Sequence, residues 1–244
     1  MNEFSHQTIT ETIFGREDHL FEYCLLPDLD EKQRVYSSHF YNPVTRLCYR
    51  QSEDSARNRL IYWTAQYLIS NNPTHLGRAI HYLEDICTPV HTQYQDSFDA
   101  VYRANIHVEF EKMLDKYIKE HGVKSSGKMD VGSLTDLVNV ASLQSSQTYY
   151  KYKDFSVFEE SFQSTVELAT SSLLAFNDIL KKLESKIIPY HDSEIMVVKS
   201  DNEFLVACLD FNTSLRTNDK HQIYVFTRPS EIKNYKFKEI IDEF

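Results

Sequence analysis

The stretch His81-Tyr82-Leu83-Glu84-Asp85-Ile86-Cys87-Thr88-Pro89-Val90-His91 places an imidazole and a carboxylate, His81 and Asp85, four residues apart. On a helix that spacing sets both on one face about one turn apart, so both can reach one metal ion. Pro89 breaks the helix, so His91 leaves in a different direction and is available to a second ion. His107 and Glu111 repeat the four-residue spacing. With His91 they make two imidazoles and one carboxylate, a pattern known from catalytic zinc sites that keep an open position for water. Taken singly, a His and a carboxylate at this spacing are an ordinary surface pair, and the chain has 10 His. Two such pairs within 31 residues, linked by a Pro-terminated turn, favour a metal centre over chance. His19, His75, His121, His191 and His221 sit in polar contexts and read as solvated.

The elements that must carry these residues read mostly as helices. Phe4, Ile9, Ile13 and Phe14 recur near helical spacing, with Ser5 as the expected cap. A loop is expected from Pro27 through Asp30, and another over Tyr36 to Arg50, which contains Asn42-Pro43. Ala56, Leu60, Trp63, Ala65, Tyr67 and Leu68 mark a helix that Asn71-Asn72-Pro73 ends. Thr74 is the expected cap of the next, which runs to about Ile86 and is stopped at Thr88-Pro89, because a residue before proline leaves the α region. Further helices are expected at about 99–119, 131–152 and 157–186, with a polar loop at 121–127. After Pro189 the pattern changes to short strand-like runs, Ile195 to Val198, Phe204 to Leu209 and Ile223 to Phe226. The expected architecture is a compact all-α multi-helix core over 1–188 with a small β-rich C-terminal appendage over 189–244, packed on the helices.

Composition sets outer limits. The 244 residues include 36 acidic and 26 basic side chains, for a formal net charge of -10. That balance disfavours a protein that clamps nucleic-acid phosphates and fits one that holds cations. Only 5 Gly and 6 Pro argue against an all-β sandwich or a collagen-like chain. No apolar run approaches the ~18 residues of a membrane helix, and Met1 to Ile13 is too polar for a signal peptide. Cys24, Cys48, Cys87 and Cys208 form no C-x-x-C pair and are compatible with four thiols or two disulfides.

His81 to His91 resembles the H-Y-x-x-D-x-x-x-P-x-H motif of the zinc-dependent phospholipase C and S1/P1 nuclease superfamily. His107 to Glu111 is similar to the H-x-x-x-E motif that follows it in the phospholipase C branch. Upstream, Ser38-His39-Phe40-Tyr41-Asn42-Pro43 resembles the S-H-F-Y-D-P segment whose His binds metal. Asp28 lies eleven residues before His39, where the family places an aspartate ligand, and His6 resembles the ligand of the first helix. The resemblance runs in family order over residues 6–111. It implies an all-α fold around three zinc ions. One would be held by Asp28, His39, His81 and Asp85. A second would be held by His91, His107 and Glu111. A third would be held by His6, by Asp85 as a bridge, and by the amine and carbonyl of Met1. Two positions depart from the pattern: Met1 stands where the family has tryptophan, and Glu84 stands where it often has glycine.

The resemblance implies a hydrolase that cleaves phosphodiesters with zinc-activated water, the ions also stabilising charge at the phosphoryl and leaving oxygens. Asp28, with an oxygen facing the water, is the candidate general base. Glu111, where the nuclease branch more often has Asp, and the acidic charge point to phospholipid head groups as substrate, with transient contact to a membrane surface. A single-strand nuclease, which should show a basic groove with stacking aromatics, and a non-catalytic metal-stabilised binding protein are the alternatives. Tyr36, Phe40 and Tyr41 either line a head-group pocket or pack their loop. The resemblance also implies an exported enzyme.

Overall fold

The structure, a computed structural model, describes residues 1–30, 38–44, 55–92, 100–125, 127–152, 158–190, 193–200, 203–208 and 213–217. The first helix, α1, spans Glu3–Phe14. Gly15 ends it at a positive φ (73°) that favours glycine, and its N–H bonds to the Glu11 carbonyl. Asn2, not Ser5, occupies the cap position. Ser5 is already one turn inside, where its hydroxyl donates to Asp115 at 2.5 Å. Two short helices follow, α2 at Leu20–Tyr23 and α3 at Leu26–Asp30. The expected loop at Pro27 is therefore helical, because proline is tolerated in a first turn, where its missing N–H has no intrahelical partner.

Helix α4 (Ala56–Ser70) is capped by Ser55, whose Oγ accepts from the Asn58 N–H, and ends at Asn71 in the left-handed region. Helix α5 (Pro73–Ile86) starts two residues earlier than a Thr74 cap implies. Asn72 is its cap, its Oδ1 accepting from the Thr74 N–H at 3.0 Å, and Pro73 takes the first helical position. Cys87 closes α5 ahead of Pro89, and α6 (Pro89–Thr92) turns away with His91 on it. Three longer helices follow among the described residues, α7 (Ala100–His121), α8 (Leu134–Tyr152) and α9 (Phe158–Leu180).

Helix α5 is the centre of the molecule and touches α1, α2, α3, α4, α6, α8 and α9. From Ala79 to Ile86 every residue of it is buried, His81, Glu84 and Asp85 included. Ile80, Tyr82, Leu83 and Ile86 join Leu60, Leu114, Leu137, Leu173 and Phe176 in one core. Gly77 permits the close approach of α2. A Cβ there would strike the Tyr23 Cβ and come within 2.7 Å of the Tyr23 carbonyl carbon.

The last helix stops at Leu180 rather than near Lys186. Strand β1 (Glu184–Tyr190) already begins a sheet with β2 (Ser193–Ser200), β3 (Glu203–Cys208) and β4 (Thr213–Thr217). All neighbours are antiparallel in the order β1-β2-β3-β4. The expected runs at 195–198 and 204–209 fall on β2 and β3, and β4 was not expected. Ile223 to Phe226 lie outside the described residues. Met196 pairs with Ala207 and Val198 with Leu205, and all four join the helical core. The sheet packs on α4, where Ser185 donates to the Ala65 carbonyl at 3.2 Å. The protein is thus a mostly helical core with a small antiparallel sheet at its C-terminal side. Among the described residues no helix is long and apolar enough to cross a membrane.

Candidate metal centre

Every expected ligand lies among the described residues, and the fold draws them to one region. Helix α5 supplies His81 and Asp85, α1 His6, α3 Asp28, α6 His91, and α7 His107 and Glu111. The segment 38–44 brings His39. It is tied on both sides by backbone bonds, the Tyr41 N–H to the His91 carbonyl at 3.0 Å and the Ala56 N–H to the Phe40 carbonyl at 3.1 Å.

Asp85 is the hub. Its Oδ2 lies 2.8 Å from His39 Nδ1 and 3.2 Å from His81 Nε2. Its Oδ1 lies 3.1 Å from the Met1 amine, 3.1 Å from His91 Nδ1 and 3.6 Å from His6 Nε2. The Asp28 Oδ1 stands 3.8 Å from His39 Nδ1 and 3.7 Å from His81 Nε2. On the other side, Glu111 Oε1 is 3.2 Å from both His91 Nε2 and His107 Nε2. The Met1 amine is 3.2 Å from the same oxygen. Three donor groups fit one ion each by mutual distance: His39, His81 and Asp85; His91, His107 and Glu111; and His6, Asp28 and His81. The third differs from the expected partition, which joins His6 to Met1 and Asp85. His6 lies close to both sets, so the first and third expected positions adjoin.

The spacing suits zinc. Ligands 2.0–2.1 Å from a tetrahedral ion stand about 3.3 Å from each other. The separations among Asp28, His39, His81 and Asp85 run from 2.8 to 3.8 Å and bracket that value. The tautomers suit it too. His81 Nδ1–H donates to the Cys24 carbonyl at 2.8 Å, which leaves the Nε2 lone pair facing the cluster. His91 Nδ1–H donates to the His39 carbonyl at 3.0 Å and turns its Nε2 toward His107 Nε2, 2.7 Å away. Two imidazole lone pairs aimed at each other beside a carboxylate need protons or a cation between them. His6 Nε2 is buried with no hydrogen-bond partner and faces a carboxylate oxygen. A buried, orphaned nitrogen so placed is what a metal ligand looks like without its ion.

The electrostatics agree. Burial works against the charge of the Met1 amine, but Asp85 and Glu111 more than offset it and hold its pKa up at about 11. Burial likewise opposes the Asp85 carboxylate, yet His91, the amine and His81 keep it well below the usual range. Glu111 is held low against burial by the amine and by His107 and His91. Burial opposes the charge of His81 and His91, but Asp85, joined by Asp28 at His81 and by Glu111 at His91, more than offsets it, so both bind protons more tightly than a free imidazole. Burial pushes His6 and His107 the other way, toward the neutral form that a metal requires.

Exposure is uneven across the centre. The His6, His81 and Asp85 side chains are closed off, whereas Asp28 is 35% and His107 14% exposed. Phe40 stacks on His91 at 4.9 Å and leans on His107, and Tyr41 joins the core, so both serve packing. Tyr36 lies outside the described residues. Cys24 and Cys87 are buried free thiols.

Sequence reasoning passed over two carboxylates that support the ligands. Glu84 bonds to His6, and Asp115 receives Asn2 at 3.2 Å and Ser5, anchoring the chain's first residues to α7. Asp115 could have been found, since His107, Glu111 and Asp115 recur every fourth residue on one helix face.

Comparison with known proteins leads to the same place. A family model described as zinc-dependent phospholipase C matches residues 2–175. No curated protein matches. Among solved structures, the chain is similar to the alpha-toxin of Clostridium perfringens from avian strain SWCP, at 12% identity and a TM-score of 0.54, covering 89% of this chain and 95% of that one. It is similar to the alpha toxin of Clostridium absonum at the same identity and TM-score, covering 89% of this chain and 93% of that one. Those two likenesses concern the fold, while the family match spans most of the chain that carries the donor cluster: this protein belongs to the zinc-dependent phospholipase C family.

Proposed function

We propose that this chain hydrolyses the head-group phosphodiester of phospholipids, releasing diacylglycerol and a phosphorylated head group. The observation that carries the proposal is the convergence of His6, Asp28, His39, His81, Asp85, His91, His107 and Glu111 on one centre in a chain of this family. In the proposed arrangement Asp28, His39, His81 and Asp85 hold one zinc ion. His91, His107 and Glu111 hold a second. His6, Asp85 and Met1 hold a third. Zinc in such a setting lowers the pKa of water and neutralises charge on phosphoryl oxygens.

The chain's own residues divide the remaining work. Asp28, the exposed member, can take a proton from the attacking water at its free oxygen. Asp85 holds the donors at fixed separations, so the centre need not reorganise as charge develops. Phe40 covers one face of His91 and keeps solvent from that side. Leu29 follows Asp28, Val108 follows His107, and Val44 lies close after His39 in sequence. These are three of the few exposed large hydrophobic residues among those described. Exposed apolar residues near the ligands in sequence suit transient contact with a lipid surface, whereas a net charge of -10 does not suit a nucleic-acid substrate. We place all of this chemistry within 1–188 and assign no catalytic part to 189–244.

The test is release of phosphorylated head group from phosphatidylcholine and phosphatidylethanolamine vesicles by the zinc-loaded protein, beside cleavage of single-stranded DNA. Zinc-dependent release with DNA left intact is expected. Cleavage of DNA without head-group release would overturn the lipid assignment, and no hydrolysis of either would overturn the enzyme assignment.

A further inference from the structure

Glu84 is a fully buried carboxylate that no ligand set uses. Its Oε2 stands 2.5 Å from His6 Nδ1, and its Oε1 accepts the Thr10 hydroxyl at 2.9 Å. Both oxygens are thus engaged by α1, which Glu84 clamps to α5. The His6 ring also stacks on His81, with centroids 4.2 Å apart, so its plane is fixed as well as its edge. The opposite ring nitrogen, Nε2, is the orphaned atom that faces Asp85 Oδ1 at 3.6 Å. A burial this complete costs a carboxylate several kcal/mol unless its bonds are specific.

We infer that Glu84 is a positioning residue for the third metal position. By accepting the Nδ1–H of His6, it selects the tautomer whose Nε2 lone pair points at that position. It also fixes the ring there. The inference rests on the metal centre proposed above. Thr10 restrains the other oxygen, so Glu84 cannot swing away from His6. A carboxylate behind a ligating imidazole also raises that ligand's basicity, and its loss costs roughly 10–100-fold in metal affinity.

The test is zinc affinity of the full chain, measured class by class by competition with a chromophoric chelator. It compares the wild type with Glu84→Ala, Glu84→Gln, His6→Ala and the double variant Glu84→Ala/His6→Ala. One class of bound zinc is expected to weaken roughly 10–100-fold in Glu84→Ala, with the other classes unchanged. Glu84→Gln retains an acceptor oxygen and should recover most of that loss. The double variant should be no weaker at that class than His6→Ala alone, because the two residues act as one unit. Unchanged zinc classes in Glu84→Ala, or a double variant in which the two losses add, would overturn the inference while leaving the metal centre standing. A wild type that binds no zinc would overturn both. Should Glu84→Ala fail to fold, Glu84→Met, which keeps the volume but accepts no hydrogen bond, carries the test: weakening of one class alone supports the inference, and unchanged classes or equal weakening of every class overturns it.

Discussion

Asp85→Asn isolates the charge at the centre of the site, because the amide keeps the size of the carboxylate. In the metal-free protein the carboxylate faces the Met1 amine at 3.1 Å, His91 at 3.1 Å, His39 at 2.8 Å and His81 at 3.2 Å. A single unit pair at 3.1 Å is worth about 5 kcal/mol at an effective dielectric of 20. The amine keeps Glu111 at 3.2 Å as a second partner, so the loss is not complete. Breaking a buried pair by removing one member costs about 3–5 kcal/mol, since the other charge stays buried. For a chain of this size each kcal/mol lowers Tm by about 2–4 °C, so chelator-treated Asp85→Asn should melt about 6–20 °C below chelator-treated wild type. With zinc present the variant should also hold less metal, because Asp85 serves two of the proposed ligand sets. Thermal unfolding followed by circular dichroism, with zinc content measured on the same samples, reads both effects. A Tm within about 2 °C of wild type together with full zinc content would refute the hub role of Asp85.

Other outcomes follow from the same geometry. His81→Ala should lose head-group hydrolysis and release zinc, because His81 Nε2 faces Asp28, His39 and Asp85 at once; retained activity with retained zinc contradicts its placement. Gly77→Ala drives a Cβ into Tyr23, next to the Cys24 carbonyl that fixes the His81 tautomer. Overpacking of this kind costs about 1–3 kcal/mol, so Tm should fall by about 2–12 °C, and an unchanged melting curve would mean that α2 moves aside freely. Zinc uptake should release protons. His81 and His91 have raised pKa values in the metal-free protein, where the carboxylates around them together more than offset their burial, so they hold protons more tightly than a free imidazole of pKa about 6.5. Zinc must displace those protons, so apparent affinity falls as pH falls, and calorimetry in two buffers of different ionisation heat should show net release that grows toward pH 6. Zero release across pH 6–8 would contradict the assignment of these imidazoles as ligands.

Much of the site was legible because helix geometry converts spacing into proximity. His81 with Asp85, and His107 with Glu111, are each four apart on helices that do form, and Pro89 does turn His91 onto a separate element. Asp28 and His39 came from the family pattern rather than from spacing, and the fold brings both to the same centre. The misses have local causes. Pro27 reads as a breaker, yet it sits in the first turn of α3, where it costs no hydrogen bond. Thr74 looks like a cap, but Asn72 with Pro73 behind it starts α5 sooner. Residues after Leu180 keep a composition that suits a helix, and only pairing with β2 and packing on α4 make Glu184–Tyr190 a strand. Strand β4 (Thr213–Thr217) has a single large apolar residue to signal it and is formed by its ladder to β3. The role of Glu84, though the residue stands out from the family pattern, was invisible for a different reason. Its partner His6 is 78 residues away, so its role exists only once α1 lies against α5.

The most direct test of the account is the metal content of the purified full chain by elemental analysis after excess metal is removed. The account predicts two to three zinc per chain, retained against dialysis and lost to a strong chelator. A chain that carries no metal and takes up none when zinc is added would contradict it, because the donors around Asp85 would then not be assembled as ligands.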